Sequence, residues 1–295
     1  AYIATNAPHS PFIAPEKYKK KFINQGYPVN AQGFYGMIEN IDDNLGILLD
    51  KLDQWGIADN TILIFMSDNG KTYGGQNEVH GETYNADMRG FKGSVYEGGT
   101  RVPFFIRWPG KFEAGKEVNV LLNHYDILPS FADILDIDIT DIENLDGSSF
   151  LPFLINDSIQ AKNRYRIAHK GRWPLNPDNI NNQETAQQWI GTAESSNPRN
   201  YKFKGFSIRD ERYKLLNNSE LYDLLKDPGE QINIISEHAE KAIGMKKIYE
   251  KWWENIIPFL VNENVPLAKE KPFWTEYYAQ KDSIGIKDWI IPDLN

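Results

Sequence analysis

From Phe34 to Trp55 the apolar residues Met37, Ile38, Ile41, Leu45, Leu48, Leu49 and Leu52 recur at spacings of three and four. That period predicts an amphipathic helix over Phe34–Trp55, stopped by Gly56. The pattern then changes. Thr61–Met66 is a continuous apolar run that ends in Ser67-Asp68-Asn69-Gly70, as a buried parallel strand opening into a loop would. A glycine-rich stretch through Gly98-Gly99 leads to a second such run, Val102–Trp108, and Tyr125–Leu135 reads as another helix. Alternation of strands and helices gives the expected fold class: α/β, a mainly parallel sheet flanked by helices.

Farther along, periodicity fades. Between Leu154 and Tyr201 the chain is rich in Asn, Gln and Pro, which suggests long loops or a cap. Phe203–Arg209, Tyr213–Leu216 and Glu220–Leu224 read as short strands of a small antiparallel sheet. The residues Ala242, Met245, Ile248, Tyr249, Trp252, Ile256 and Phe259 space as one face of a long helix over Glu237–Leu260, ended or kinked at Pro258. The expected organisation is therefore an α/β part over 1–156, an irregular segment over 157–202, and a small sheet-and-helix subdomain over 203–295. Ala1–Asn6 reads as the end of a buried strand, so the expectation is a truncated chain whose parent begins farther upstream.

Composition narrows the function classes. With 295 residues, 41% hydrophobic and 25% charged, the chain can bury a sizeable core. A formal net charge of −9 without a basic stripe argues against nucleic acid as the partner. No apolar run approaches the roughly 18 residues that span a bilayer. Cysteine is absent, which excludes disulfide frameworks, thiolate metal sites and a cysteine nucleophile within this chain.

Chemistry enters at a few places. Asp68 and Asn69 offer adjacent oxygens at a strand's carboxyl end, where α/β proteins bind ligands and where a hard cation such as Ca²⁺ or Mg²⁺ finds suitable donors. An Asp-Asn-Gly turn is the plain alternative, and two oxygens fall short of a calcium shell. Lys92 sits among glycines that let a backbone approach an oxyanion, although a solvated loop lysine has the same look. His9, in Asn6-Ala7-Pro8-His9-Ser10-Pro11, is suited to proton donation or anion binding, or to loop structure alone. His124 heads a helix and reads as structural. His169, Lys170, Arg172 and Trp173 place cations beside an aromatic ring, which suits a sulfated sugar as well as an incidental surface loop.

Taken together these segments resemble a family. Asn-Ala-Pro-His-Ser-Pro, Ser-Asp-Asn-Gly, Met88-Arg89-Gly90 to Glu97-Gly98-Gly99 with Arg101-Val102-Pro103, and Glu220-Leu221-Tyr222-Asp223 to Asp227-Pro228-Gly229-Glu230 follow one another as in formylglycine-dependent, arylsulfatase-like sulfatases. The resemblance implies an alkaline-phosphatase-like fold and hydrolysis of sulfate esters, of a sulfated carbohydrate or an aryl sulfate. It implies that Asp68 and Asn69 bind one divalent cation, Ca²⁺ before Mg²⁺, and that Lys92 and His9 contact the sulfate. Lys92 or His9 would protonate the leaving alcohol, Asp68 would help activate the nucleophile, and His169, Arg172 and Trp173 would read the sugar.

In that family formylglycine arises from a Cys/Ser-x-Pro-Ser-Arg segment upstream of Asn-Ala-Pro-His, and five residues precede Asn6 here. The expectation is thus a C-terminal portion with no independent turnover, from a periplasmic or secreted parent. A phosphate or phosphonate monoester hydrolase of the same superfamily, and a noncatalytic remnant that binds sulfated glycans, are the alternatives. Oligomeric state is left open.

Overall fold

The computed structural model describes residues 1–77, 82–156, 159, 164–171, 178, 197–259 and 272–283. In chain order its helices are α1 (Glu16–Asn24), α2 (Val29–Gln54), α3 (Glu97–Thr100), α4 (Ile127–Ile134), α5 (Leu151–Ile155), α6 (Ala239–Ile256) and α7 (Pro272–Ser283). The strands are β1 (Leu63–Met66), β2 (Gln76–Asn77), β3 (Glu82–Thr83), β4 (Phe104–Arg107), β5 (Arg166–His169), β6 (Phe206–Arg209), β7 (Tyr213–Leu216) and β8 (Glu220–Asp223). Two compact units interleave along the chain. The first holds Ala1–Lys51, Lys71–Ala86 and α7 of the stretch Asn262–Asn295; the second holds Leu52–Gly70 and the described part of Asp87–Val261.

In the first unit, Tyr18 of α1 is buried with Ala14 and Met37 of α2, and Phe12 and Ala7 pack on that cluster. The approach is close enough to dictate sequence. A Cβ on Gly33 would lie 1.9 Å from the Phe12 carbonyl oxygen, so the segment carrying His9 crosses α2 only where no side chain stands. Ala1–Asn6, expected as a strand end, has no regular structure, and Tyr2 is 95% exposed. Apolar composition alone does not make a strand; it needs a partner for its backbone groups, and the structure pairs none with this one.

The second unit departs from the expected sheet. β1 pairs antiparallel with β4, Leu63 opposite Arg107 and Met66 opposite Phe104, and every sheet among the described residues is antiparallel. The cause lies just beyond β1. The Gly70 N–H donates to the Gly99 carbonyl at 3.1 Å, so the chain leaves β1 and returns to β4 at the same end of the pair. Parallel pairing requires a crossover to the opposite end. The strands are also less buried than their apolar runs suggest, with Phe105 65% exposed.

The small C-terminal sheet is as expected, in the order β5-β6-β7-β8. Its extra edge strand, β5, comes from the stretch that looked irregular. One face packs on α6: Phe206, Ile208, Leu215 and Leu221 meet Ala242, Met245, Tyr249 and Trp253. Trp252 packs against this core as expected, and Trp253, which the expected face omitted, is fully buried in it. Regular helix stops at Ile256, and a 3-10 turn over Ile257–Phe259 contains Pro258, which cannot continue the helical hydrogen bonding. The opposite face carries Leu216 and Tyr222 against Val95 and Tyr96. Strand alternation explains the split, because neighbours Leu215 and Leu216 point to opposite sides.

Candidate functional site

Two loops of the second unit carry the candidate chemistry, and glycines lock them together. After β1, the Ser67 hydroxyl donates to the Asn69 carbonyl at 3.1 Å, and the chain turns into buried Gly70. A Cβ there would fall 1.9 Å from the Gly98 carbonyl oxygen; only glycine permits the contact. The second loop closes on itself around Lys92. Ser94 N–H donates to the Phe91 carbonyl at 2.8 Å, and Gly98 N–H to the Arg89 carbonyl at 2.8 Å. A Cβ on Gly99 would meet the carbonyls of Ser94 and Phe91 at 2.3 and 2.6 Å. Gly98-Gly99 therefore touches the Asp68-Asn69 loop on one side and the Lys92 turn on the other.

At the rims of these loops the functional groups face outward. Asp68 is exposed, Asn69 half-buried and Lys92 exposed. Among the described residues Lys92 has no ion pair or hydrogen-bond partner in the protein, which leaves its ammonium available to an anion. Asp68 and Asn69 supply oxygens of the kind a hard cation takes. No group of three or more His, Cys, Asp or Glu among the described residues could complete a metal site. The donors fit a divalent cation in kind and fall short in number.

What sequence reasoning missed is the foundation under the Lys92 loop. Glu97 is buried at its end, with Oε1 2.9 Å from Lys214 Nζ and Oε2 2.7 Å from Arg209 Nη1. Its own N–H donates to Glu230 Oε2 at 2.7 Å, and Glu230 Oε1 lies 3.1 Å from the same ammonium. Burial works to raise the Glu97 pKa, but Lys214 and then Arg209 outweigh it and hold the carboxyl below its usual range. Glu230 goes the other way, because burial dominates and raises it.

Beside this, the Arg89 guanidinium lies over the Tyr96 ring at 4.1 Å and donates to the Tyr222 hydroxyl at 3.0 Å. Both tyrosine hydroxyls donate to Glu220. Burial, then the Glu220 carboxylate, pushes the Tyr222 phenol up to about 12. A visible signal existed: Lys214 is a lone cation in the apolar run Tyr213–Leu216, and a lysine inside a sheet needs a buried partner.

The remaining expected residues belong to other segments of the chain. His9 belongs to the first unit; it is exposed, its N–H donates to the Asn6 carbonyl at 2.9 Å, and Nδ1 lies 2.8 Å from the Ser10 carbonyl. His169 is partly buried against Trp253, the rings stacked at 4.9 Å, with Nδ1 2.9 Å from the Lys170 carbonyl and Nε2 3.2 Å from that of Tyr201. Burial lowers its pKa. Arg172 and Trp173 fall outside the described residues. His124 is exposed and opens a 3-10 turn that Asn123 and Asp126 close with a capping box, and buried Asp126 takes a two-pronged bond from Arg164 at 2.6 and 3.0 Å.

Comparison with known proteins fits this picture. Residues 1–137 match the sulfatase family model. The chain is 28% identical over 277 residues to the sulfatase YdeN of Escherichia coli (strain K12), covering 89% of this chain and 48% of that protein. It is 28% identical over 258 residues to the N-acetylgalactosamine-6-O-sulfatase of Bacteroides thetaiotaomicron, covering 84% and 46%. Among solved structures, Ps i-CgsB in complex with k-i-k-neocarrahexaose is similar with a TM-score of 0.67 and 25% identity, over 89% of this chain and 52% of that one. The chain thus spans about half the length of the curated relatives it matches. The fold is that of the alkaline-phosphatase-like superfamily. Within it, residues 1–137 carry the sulfatase family domain.

Proposed function

We propose that this chain forms part of a sulfuric ester hydrolase acting on a sulfated carbohydrate. What supports the reading is the lock at Gly70, Gly98 and Gly99, which holds a pair of cation-type oxygen donors and an ammonium without a partner among the described residues on neighbouring loops. Asp68 and Asn69 would hold a divalent cation, Ca²⁺ by family habit, together with further oxygen donors. Bound there, the cation adds positive charge beside a sulfate oxygen. Lys92 offsets negative charge on the sulfate as the S–O bond to the alcohol lengthens. It or His9 delivers the proton that the departing alkoxide needs, and Asp68 helps deprotonate the nucleophile. The nucleophile itself is formylglycine in this family, and a parent that carries it would act in the periplasm or outside the cell.

The names of two similar proteins, one an N-acetylgalactosamine-6-O-sulfatase and one solved with a neocarrahexaose, support a sugar as the alcohol half. Sugar reading falls to Arg172 and Trp173 in this proposal. His169, by contrast, packs its ring on Trp253 and lies against two backbone carbonyls.

The test is hydrolysis by protein that carries a formylglycine-bearing Cys/Ser-x-Pro-Ser-Arg segment ahead of Ala1. It should cleave a carbohydrate sulfate in preference to the matching phosphate. Lys92→Ala should lower kcat by about 10²–10³, the usual effect of losing one preorganised charge contact. Faster cleavage of the phosphate, or unchanged kcat in Lys92→Ala, overturns the reading.

A further inference from the structure

We propose that Glu97 is a positioning residue: it fixes the Lys92 loop to the C-terminal sheet, so that residues more than a hundred positions downstream aim the sulfate-binding ammonium. The proposal rests on the reading that Lys92 holds sulfate. Lys92 itself is exposed and lacks a protein partner among the described residues, so nothing in its side chain's surroundings determines where it points. Its backbone does. The turn that bears it is closed at one end by Gly98 N–H on the Arg89 carbonyl, and the residue before Gly98 is Glu97, gripped three ways. Lys214 and Arg209 hold the two carboxylate oxygens, and Glu230 holds the main-chain N–H. Arg89, at the other end, donates to the Glu230 carbonyl at 3.1 Å, so both ends of the loop reach the same glutamate.

A buried cluster of this kind is a costly way to gain stability, since apolar residues of the same volume commonly serve as well. What it provides is direction. Hydrogen bonds to charged groups have fixed geometry, and Glu97 passes that geometry through Gly98-Gly99 to Gly70 and the Asp68-Asn69 loop.

The experiment uses this chain and sodium sulfate as the probe, with the Gly93 amide shift read by NMR, the urea midpoint, and deuterium uptake of residues 89–99. Lys92→Ala should weaken sulfate binding about tenfold, as loss of a charged hydrogen bond does. Glu97→Gln should weaken it severalfold and also lower the urea midpoint, because it takes the carboxylate from Arg209 and leaves Lys214 with Glu230 alone. The double variant Glu97→Gln/Arg209→Gln removes that imbalance and leaves Lys214 paired with Glu230. Its urea midpoint should recover while sulfate binding stays weak and uptake in 89–99 stays high.

Recovery of midpoint, sulfate affinity and uptake together would make Glu97 a mere partner for Arg209 and overturn the proposal. So would unchanged sulfate affinity in Glu97→Gln when Lys92→Ala weakens it. If Lys92→Ala changes nothing, the sulfate reading fails by itself. Uptake in the double variant then decides the positioning: raised uptake supports it and wild-type uptake overturns it.

Discussion

Lys214 donates to Glu97 at 2.9 Å across 117 residues of sequence, with its side chain only 1% exposed. The bond joins the strand β7 to the end of the Lys92 loop. Removing the lysine leaves Glu97 and Glu230 buried with one fewer cation between them. Lys214→Met should therefore cost about 3–5 kcal/mol, the usual penalty for breaking a buried pair on one side. Urea unfolding checks it, and a loss below about 1 kcal/mol, the size of a surface pair, would mean that the cluster is hydrated in solution.

Two glycines should respond in opposite directions to the same substitution. At Gly70 an added Cβ meets the Gly98 carbonyl oxygen at 1.9 Å; Gly70→Ala should cost about 1–3 kcal/mol or more by overpacking. At Gly46, inside α2, nothing lies within 4 Å of an added Cβ. There alanine should stabilise by roughly 1 kcal/mol, the propensity difference in a helix interior. Parallel thermal melts of the two variants decide the matter.

His169 sets a pH dependence. Burial depresses its folded-state pKa below the ordinary 6.5, despite hydrogen bonds to Lys170 and Tyr201 that act the other way. Below the ordinary value the unfolded chain therefore binds the proton more readily than the folded one, and stability rises with pH in that window. The contribution is whole above 6.5 and is lost as pH falls toward the folded value. Glu97, also depressed, weakens the fold only below the ordinary carboxylate value of 4.5. Unfolding curves at stepped pH should show the higher step vanish in His169→Gln; a step that persists there belongs to another group.

Calcium should bind this chain weakly, with Kd of about 1 mM or higher, since Asp68 and Asn69 supply two oxygens where Ca²⁺ takes six to eight. Calorimetry on wild type and Asp68→Ala gives the answer. Tight binding that survives the substitution would place the cation elsewhere.

Elements whose signal is local were legible in the sequence. The three- and four-residue spacing from Met37 to Leu52 marked α2, and Tyr213–Leu216 emerged as β7 with the same bounds. Strand direction was not legible, because an apolar run such as Leu63–Met66 records burial and not the partner; the bond from Gly70 to Gly99 decided it. β5 was hidden because Arg166 and His169 at its ends mask the apolar pair between them. At the site, Asp68, Asn69 and Lys92 stood out through their neighbours in sequence. Glu97 did not, since its partners Arg209, Lys214 and Glu230 lie 112, 117 and 133 residues away.

That last separation has a consequence for synthesis. Ribosomes add roughly 5–20 residues per second, so a 133-residue gap means that Glu97 emerges roughly 7 to 27 s before Glu230. Throughout that interval a nascent chain holds an acidic side chain, a strand pair and a glycine-rich loop whose anchor has yet to be translated. The nascent loop is thus a natural substrate for chaperones and a weak point for proteases. Ribosome-stalled chains ending before residue 230 should be cut within 89–99, and chains extended well past α6 should resist.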